Sequence, residues 1–459
     1  MQMMKWSVIA LAVAAGTSQM ALASSQSESK GFVEDSSFDI FSRALYHNRD
    51  FKNGAGNHGV DIDDTVDSDG DGDTGNDVDR YKSGYAEEFG LGIRGLFESG
   101  FTEGTVGFGI DAHTLSSIRL DTGRGRNDLG QFALNDQGQA EETQTEVGAA
   151  VKARLSNTVL KHGNQFVESP VFATDDSRIL PEVATGTYLT STEIEGLELS
   201  AGRFTAMSSQ TATGRDTITM SSDQDGDDEK EDYTLKSANI FGASYSFTEN
   251  FSGAFHASDV EDFWTKKYVN LNYTVALADD QSLGFDFNYY KSDDQGQKLA
   301  GELQNKLWSL APSYTLGAHT FTLAYQRSSG DTGYNYGIDG GGSIFVANSV
   351  QIADFMAKDE RSYQARYDLD MTTYGVPGLS FMTRYVTGDN IDAGEDFAEE
   401  GKEHEFNFET KYVIQEGAAK DLSMRLRSSI YRANAAGSEV SYSDRNDVRL
   451  IAEYPLDIL

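Results

Sequence analysis

A period of two runs through almost the whole chain. Phe321, Leu323 and Tyr325 alternate with Thr322, Ala324 and Gln326, and Tyr363, Ala365, Tyr367, Leu369 and Met371 alternate with Gln364, Arg366, Asp368 and Asp370. Further on, Phe406, Phe408, Thr410, Tyr412 and Ile414 alternate with Asn407, Glu409, Lys411 and Val413; Val448, Leu450, Ala452 and Tyr454 alternate with Arg449, Ile451 and Glu453. Successive side chains of a strand point to opposite faces, so this pattern builds strands with one apolar and one wet face. A soluble sandwich also alternates. The connections and the inward residues have to decide between the two.

Eighteen candidate strands lie at 36–49, 85–98, 101–117, 145–156, 158–166, 186–194, 197–206, 233–247, 251–258, 263–276, 282–292, 303–316, 320–328, 361–373, 379–388, 403–414, 421–432 and 445–456. Short links at Ser99-Gly100, Asn157, Glu195-Gly196, Thr248-Glu249-Asn250, Ala278-Asp279-Asp280, Gly317-Ala318, Gly375-Val376-Pro377 and Glu416-Gly417 contrast with long ones at 50–84, 118–144, 167–185, 207–232, 329–360 and 389–402. An even strand number closes an antiparallel barrel, and short turns at one end with long loops at the other mark a barrel in an outer membrane. Closure also removes the edges that such strands would expose to aggregation or to lipid. The expected fold is all-β: a transmembrane antiparallel β-barrel of 18 strands spanning 24–459, with no linker that splits off a second domain.

Composition agrees with that expectation and excludes several others. The 37 Lys and Arg against 73 Asp and Glu leave a formal charge of −36, which repels nucleic acid. No cysteine is present, so there is no disulfide framework, Cys-ligated metal or thiol nucleophile. The 22 Tyr, 26 Phe and 46 Gly against 5 Pro suit aromatic-rich strands joined by glycine-containing turns. At the start, Lys5 precedes an apolar run from Trp6 to Ala15 and the small-residue pattern Ala21-Leu22-Ala23, which is expected to be a signal peptide over 1–23. Beyond it no window approaches the roughly 18 apolar residues a membrane helix needs.

Ordered short motifs carry a family likeness. They include Asn48-Arg49-Asp50-Phe51, Gly104-Thr105-Val106-Gly107-Phe108-Gly109, Leu120-Asp121-Thr122-Gly123-Arg124-Gly125-Arg126, Asp176-Ser177-Arg178-Ile179-Leu180-Pro181, Asn270-Leu271-Asn272-Tyr273-Thr274, Gly317-Ala318-His319-Thr320-Phe321, Ser343-Ile344-Phe345-Val346-Ala347-Asn348-Ser349-Val350-Gln351 and Gly401-Lys402-Glu403-His404-Glu405. With them the chain resembles the OprD family of substrate-specific outer-membrane porins, from Gly31 to Leu459. The resemblance implies an 18-stranded pore of the Gram-negative outer membrane, narrowed by inward-folded loops, that passes small carboxylate-bearing nutrients such as amino acids, short peptides or aromatic acids. Gly342 stands where the family's amino-acid porin carries an acidic residue, which argues against a strong preference for basic amino acids.

The residues themselves point the same way. If the apolar positions face lipid, Arg366, Arg384, Lys411, Arg425, Arg427 and Arg449 fall on the inward face of the last five strands, and Lys152 and Arg154 fall inward on the fourth. Such a ladder of cations hands a carboxylate from one partner to the next without a single deep well. The bland reading is that these cations pair across strands with Glu409, Asp368, Asp370 and Glu453 and only hold the wall together. Two loops are candidates for the constriction. Phe166 to Thr185, with Ser169-Pro170-Val171-Phe172 and Arg178, is too apolar to sit in solvent. Gly340 to Asp354 follows three glycines with an apolar run bearing Ser343, Asn348, Ser349, Gln351 and Asp354, and Asp354 or Ser343 could hold a substrate ammonium opposite the ladder.

Nine Asp and no base between Asp61 and Asp79, with the core Asp67, Asp69, Asp71 and Asp73, and a second run at Asp223 to Asp232, make acidic outer loops. Their oxygen spacing resembles a calcium loop, but Val78 occupies the twelfth position where an EF-hand needs Glu, so a solvated loop is the default and Ca²⁺ the weaker reading. No resident cofactor is expected. An enzyme is not expected either: no G-x-S-x-G elbow occurs, and His113, His162, His256, His319 and His404 lie in different strands or turns. The alternatives weighed are a weakly selective general porin and an outer-membrane barrel hydrolase. The expected partners are small carboxylate solutes, outer-membrane lipid and lipopolysaccharide, with the barrel a monomer or a loose trimer.

Overall fold

The computed structural model describes residues 25–53, 60–61, 79–80, 84–122, 126–127, 129–135, 138–215, 218–222, 231–395 and 397–459. The expected signal peptide over 1–23, the calcium candidates Asp67, Asp69, Asp71 and Asp73, and most of the second acidic run lie outside the described residues.

Eighteen long strands form one sheet: β1 (Ser37–Phe51), β2 (Tyr85–Glu98), β3 (Val106–Thr122), β4 (Thr143–Leu155), β5 (Thr158–Gln165), β6 (Val183–Ile194), β7 (Leu197–Ser208), β8 (Ala238–Thr248), β9 (Phe251–Val260), β10 (Trp264–Ala278), β11 (Gln281–Asp294), β12 (Gln304–Leu316), β13 (His319–Gly330), β14 (Arg361–Asp370), β15 (Leu379–Ile391), β16 (Gly401–Val413), β17 (Ser423–Ala433) and β18 (Arg445–Asp457). Each pairs antiparallel with its neighbours in sequence, and β1 pairs with β18 from Asp39 opposite Asp457 to Phe51 opposite Arg445, which closes the cylinder. No described helix is long and apolar enough to cross a membrane; the strands make the crossing.

The wall is apolar outside and polar inside, the reverse of a soluble protein. Leu323 and Val147 are 64 % and 74 % exposed, whereas the inward Gln326, Asn407 and Ser429 are buried. An outer band of this kind is stable only against lipid. The apolar core sits within the lumen at one side, where Val171 and Phe172 of one inward loop and Tyr334 and Ile338 of another pack on Phe204, Trp264, Tyr268, Tyr290 and Leu307 of the wall.

All eighteen expected strands are present, with ends shifted by up to five residues, and three of the shifts have a visible cause. The strand expected from 101 begins at Val106, because the N-terminal segment takes over the backbone before it: the Gln26 side-chain amide donates to the carbonyls of Thr102 (2.9 Å) and Gly104 (3.1 Å). The strand expected from 233 begins at Ala238, since 231–234 pairs with 219–222 in a separate hairpin within its loop. The strand expected to reach 373 stops at Asp370, followed by a 3-10 turn at Thr372–Tyr374 that ends on Gly375 at φ +84°. The connection before β18 holds a six-residue helix, Ala435–Val440, whose N-cap Asn434 accepts from the Gly437 amide; no periodicity in so short a run announces it.

Candidate functional site

The loop between β5 and β6 folds into the lumen and is clasped there by two arginines of the wall. The Asp176 carboxylate accepts from Arg94 at 2.6 and 2.9 Å and from Arg43 at 2.8 Å. The same guanidinium groups donate to the carbonyls of Arg178 (2.5 Å) and Ile179 (3.0 Å). Burial alone would raise the Asp176 pKa, but Arg94 and Arg43 hold it below the usual carboxylate range. Phe172 stacks on Phe204 at 4.4 Å, and the Tyr290 hydroxyl donates to the Pro170 carbonyl at 2.9 Å. Beneath the loop, Gly90 and Gly92 make room: a Cβ on Gly92 would lie 2.7 Å from the Ile179 carbonyl oxygen.

A second inward loop connects β13 to β14 and spans most of the lumen. At one side Asp339 receives Lys266 (2.6 Å), the Trp264 indole (3.1 Å) and the Ser343 hydroxyl (3.0 Å), with Lys266 and Asp339 both fully buried. Lys266 also lies over the rings of Trp264 and Tyr334. At the far side the amides of Ile352 and Ala353 donate to Glu405 of β16, and the Gln351 side chain donates to Asp447 of β18 at 2.8 Å. The two loops also hold each other: the Ala173 amide donates to the Asp339 carbonyl (3.1 Å), and Glu182 accepts from the amides of Asp175 (2.7 Å) and Gly341 (3.0 Å).

The basic wall occupies β14 to β18, and the second loop reaches it where Arg449 donates to the Gln351 carbonyl at 3.4 Å. Arg366 and Arg384 face each other across β14 and β15, as do Arg427 and Arg449 across β17 and β18, while Lys411 stands opposite Arg425. Carboxylates are interleaved: Asp368 takes Arg366 at 2.7 Å, Glu409 is shared by Arg425 (3.6 Å) and Arg427 (3.3 Å), and Asp447 takes Arg449 at 2.9 Å. Arg384 donates to Asn407 at 2.7 Å and has no carboxylate within ion-pair distance among the described residues. Like charges set opposite one another in a sheet destabilise it. Here the interleaved Asp368, Glu409 and Asp447 offset part of that repulsion.

Comparison with known proteins gives this architecture its family. The profile described as outer membrane porin, OprD family matches residues 30–458. Porin D of Pseudomonas aeruginosa is 44 % identical over 481 aligned positions that cover all of both chains. The chain belongs to the OprD family. The solved structure of Pseudomonas aeruginosa OprD is similar with a TM-score of 0.75 and 41 % identity, over 96 % of this chain and 100 % of that one. That of Pseudomonas aeruginosa OpdK with vanillate is similar with a TM-score of 0.77 and 31 % identity, over 93 % and 100 %. This OprD-family member is a non-enzymatic channel of the Gram-negative outer membrane.

Within the OprD-type barrel the positions singled out from sequence fall into three groups. Arg366, Arg384, Lys411, Arg425, Arg427 and Arg449 share one inward wall, partly neutralised by Asp368 and Glu409; Asp370 accepts from the Thr372 amide at the rim and pairs with none of them. Lys152 and Arg154 point inward too, but near the short-turn end: Lys152 pairs with Asp111 at 2.6 Å, and Arg154 donates to Gln26 and lies over Phe101. They stand apart from the constriction. Arg178 and Asp354 are half-buried at the constriction, whereas Ser343 and Asn348 are fully buried and hold the loop from within, Asn348 donating to Ser362 at 2.8 Å. Burial, with Arg449 beside it, lowers the Arg178 pKa to about 10. Arg43, Arg94, Lys266 and Asp339 carry no signal as constriction residues in the sequence beyond the inward phase of the first three. No group of three or more His, Asp or Glu able to hold a metal occurs among the described residues.

Proposed function

We propose that the channel passes small carboxylate-bearing nutrients, amino acids, short peptides or aromatic and aliphatic acids, along the Arg366 to Arg449 wall. The observation that carries this reading is the cross-strand facing of Arg366 with Arg384 and of Arg427 with Arg449, which a passing anion relieves. Asp354 on the second inward loop, when ionised, and Asp175 on the first would offer the ammonium of a zwitterion a partner of opposite sign. OpdK, similar over nearly its whole length, was solved with vanillate, itself a carboxylate, which supports the same substrate class here.

Single-channel recording of the refolded protein in a planar bilayer tests this, with carboxylates, cationic amino acids and neutral sugars as blockers. The expected result is a small conductance blocked by carboxylates, with the block weakened about tenfold or more in R427A, whose bidentate partner is lost. A wide pore indifferent to carboxylates would make this a general porin and end the proposal.

A further inference from the structure

The outer wall carries a second basic array that no solute in the lumen touches. Near the long-loop end, Lys267, Lys291, Lys306, Arg327 and Arg361 occupy β10 to β14, one in each strand. Each alternates with buried inward neighbours such as Lys266, Ser292, Asn305, Ser328 and Ser362, so all five point toward lipid. Lys267 stands opposite Lys291, Lys291 opposite Lys306, and Arg327 opposite Arg361. Lys291 has Asp293 at 2.7 Å and Arg361 has Asp389 at 3.2 Å, but Lys267, Lys306 and Arg327 have no carboxylate within ion-pair distance among the described residues. On β9 the row gives way to Asp259, which accepts from Gln295.

Depth is fixed by the residues immediately below. Tyr289 stands opposite Trp308, the Trp308 and Tyr325 rings lie 5.2 Å apart, and the Tyr325 and Tyr363 rings also 5.2 Å apart. A continuous aromatic band on the lipid face marks the headgroup level of the bilayer. Beneath it the wall is aliphatic and aromatic, with Phe285, Leu310, Leu323 and Phe321 exposed. Cations one step above that band lie where lipid phosphates lie. Asp293 and Asp389 offset one member of each cross-strand pair, which leaves Lys267, Lys306 and Arg327 as the cations that an external anion there would neutralise.

We infer that this row docks the phosphate groups of lipopolysaccharide in the outer leaflet. Lys306 and Arg327 form its centre, with their ammonium and guanidinium groups free to bridge a phosphate from two adjacent strands.

Native mass spectrometry of the full-length refolded barrel tests the inference, with bisphosphorylated lipid A, enzymatically dephosphorylated lipid A and inorganic phosphate as probes. Wild type retains the bisphosphorylated lipid and not the dephosphorylated one, and K306Q/R327Q loses affinity about thirtyfold, the loss of two surface cations. K267Q, at the end of the row, gives a smaller loss and a second readout if the double variant fails to fold, and R203Q, an outward cation outside the row, changes nothing. Three results would overturn the site: equal retention by folded K306Q/R327Q, equal retention of dephosphorylated lipid, or loss of an oligomer in the variant with lipid retention intact. Displacement of the lipid by millimolar inorganic phosphate would reassign the row to free phosphate. Carboxylate block of the pore is unchanged in K306Q/R327Q, so this test is separate from that of the solute path.

Discussion

Asp354 is a constriction-loop residue whose charge state is set by its surroundings. Its carboxyl accepts from Ser349 (2.6 Å) and Tyr336 (2.7 Å), and burial, reinforced by Glu405 and Asp175, raises its pKa above the ordinary 3.8. Because the folded value is the higher one, the stabilisation from the neutral form is complete below the ordinary carboxylate pKa and is lost as pH rises through the raised value. The same proton removes negative charge from the constriction loop. Anion preference, measured as reversal potential in a salt gradient, should therefore increase as pH falls across the raised pKa, and D354N should be anion-preferring at all pH values with that step absent. Much of this residue scale was readable in advance: a strict period of two fixes which arginines point inward. Ser343 and Asn348 escaped it, because in an irregular loop orientation follows from tertiary partners such as Asp339 and Ser362 rather than from spacing.

At the scale of elements, the inward loops behave as parts bolted to the wall. Asp176 is the bolt of the first, and removing its charge leaves Arg43 and Arg94 buried side by side, with Glu453 beside Arg43 the one carboxylate left in ion-pair contact among the described residues. D176N should cost about 3–5 kcal/mol, the usual loss when one partner of a buried pair is removed. It should show as a lower thermal midpoint in detergent together with a larger, noisier single-channel conductance; an unchanged conductance would mean that the loop stays in place without its clasp. In wild type the clasp is present above the ordinary carboxylate pKa and is lost only as pH falls through the depressed value of Asp176, so conductance should hold steady through mild acid. The strands themselves were legible because alternation over ten or more residues survives local irregularity. Their ends were not, where Gln26 or a loop hairpin captured the backbone instead of the next strand.

Taken as a whole, the molecule is an acidic chain that concentrates arginine on one lumen wall. Selectivity that rests on that field has a range set by salt: the screening length falls from about 10 Å at 0.1 M to about 3 Å at 1 M. The anion-to-cation permeability ratio should therefore move toward one across this range, while block by a carboxylate in direct contact with Arg427 weakens much less. A ratio that ignores salt would assign selectivity to pore width alone. The loop between β13 and β14 has a further, mechanical meaning. A closed sheet one strand thick is a shell, and an empty shell ovalises under side load. This loop is fastened to β10 by Asp339 and Lys266 and, eight strands on, to β18 by Gln351 and Asp447, which makes it a chord across the cylinder. Lateral pressure from the bilayer is carried along the chord, so the aperture keeps its dimensions whether the surrounding lipid is stiff or fluid.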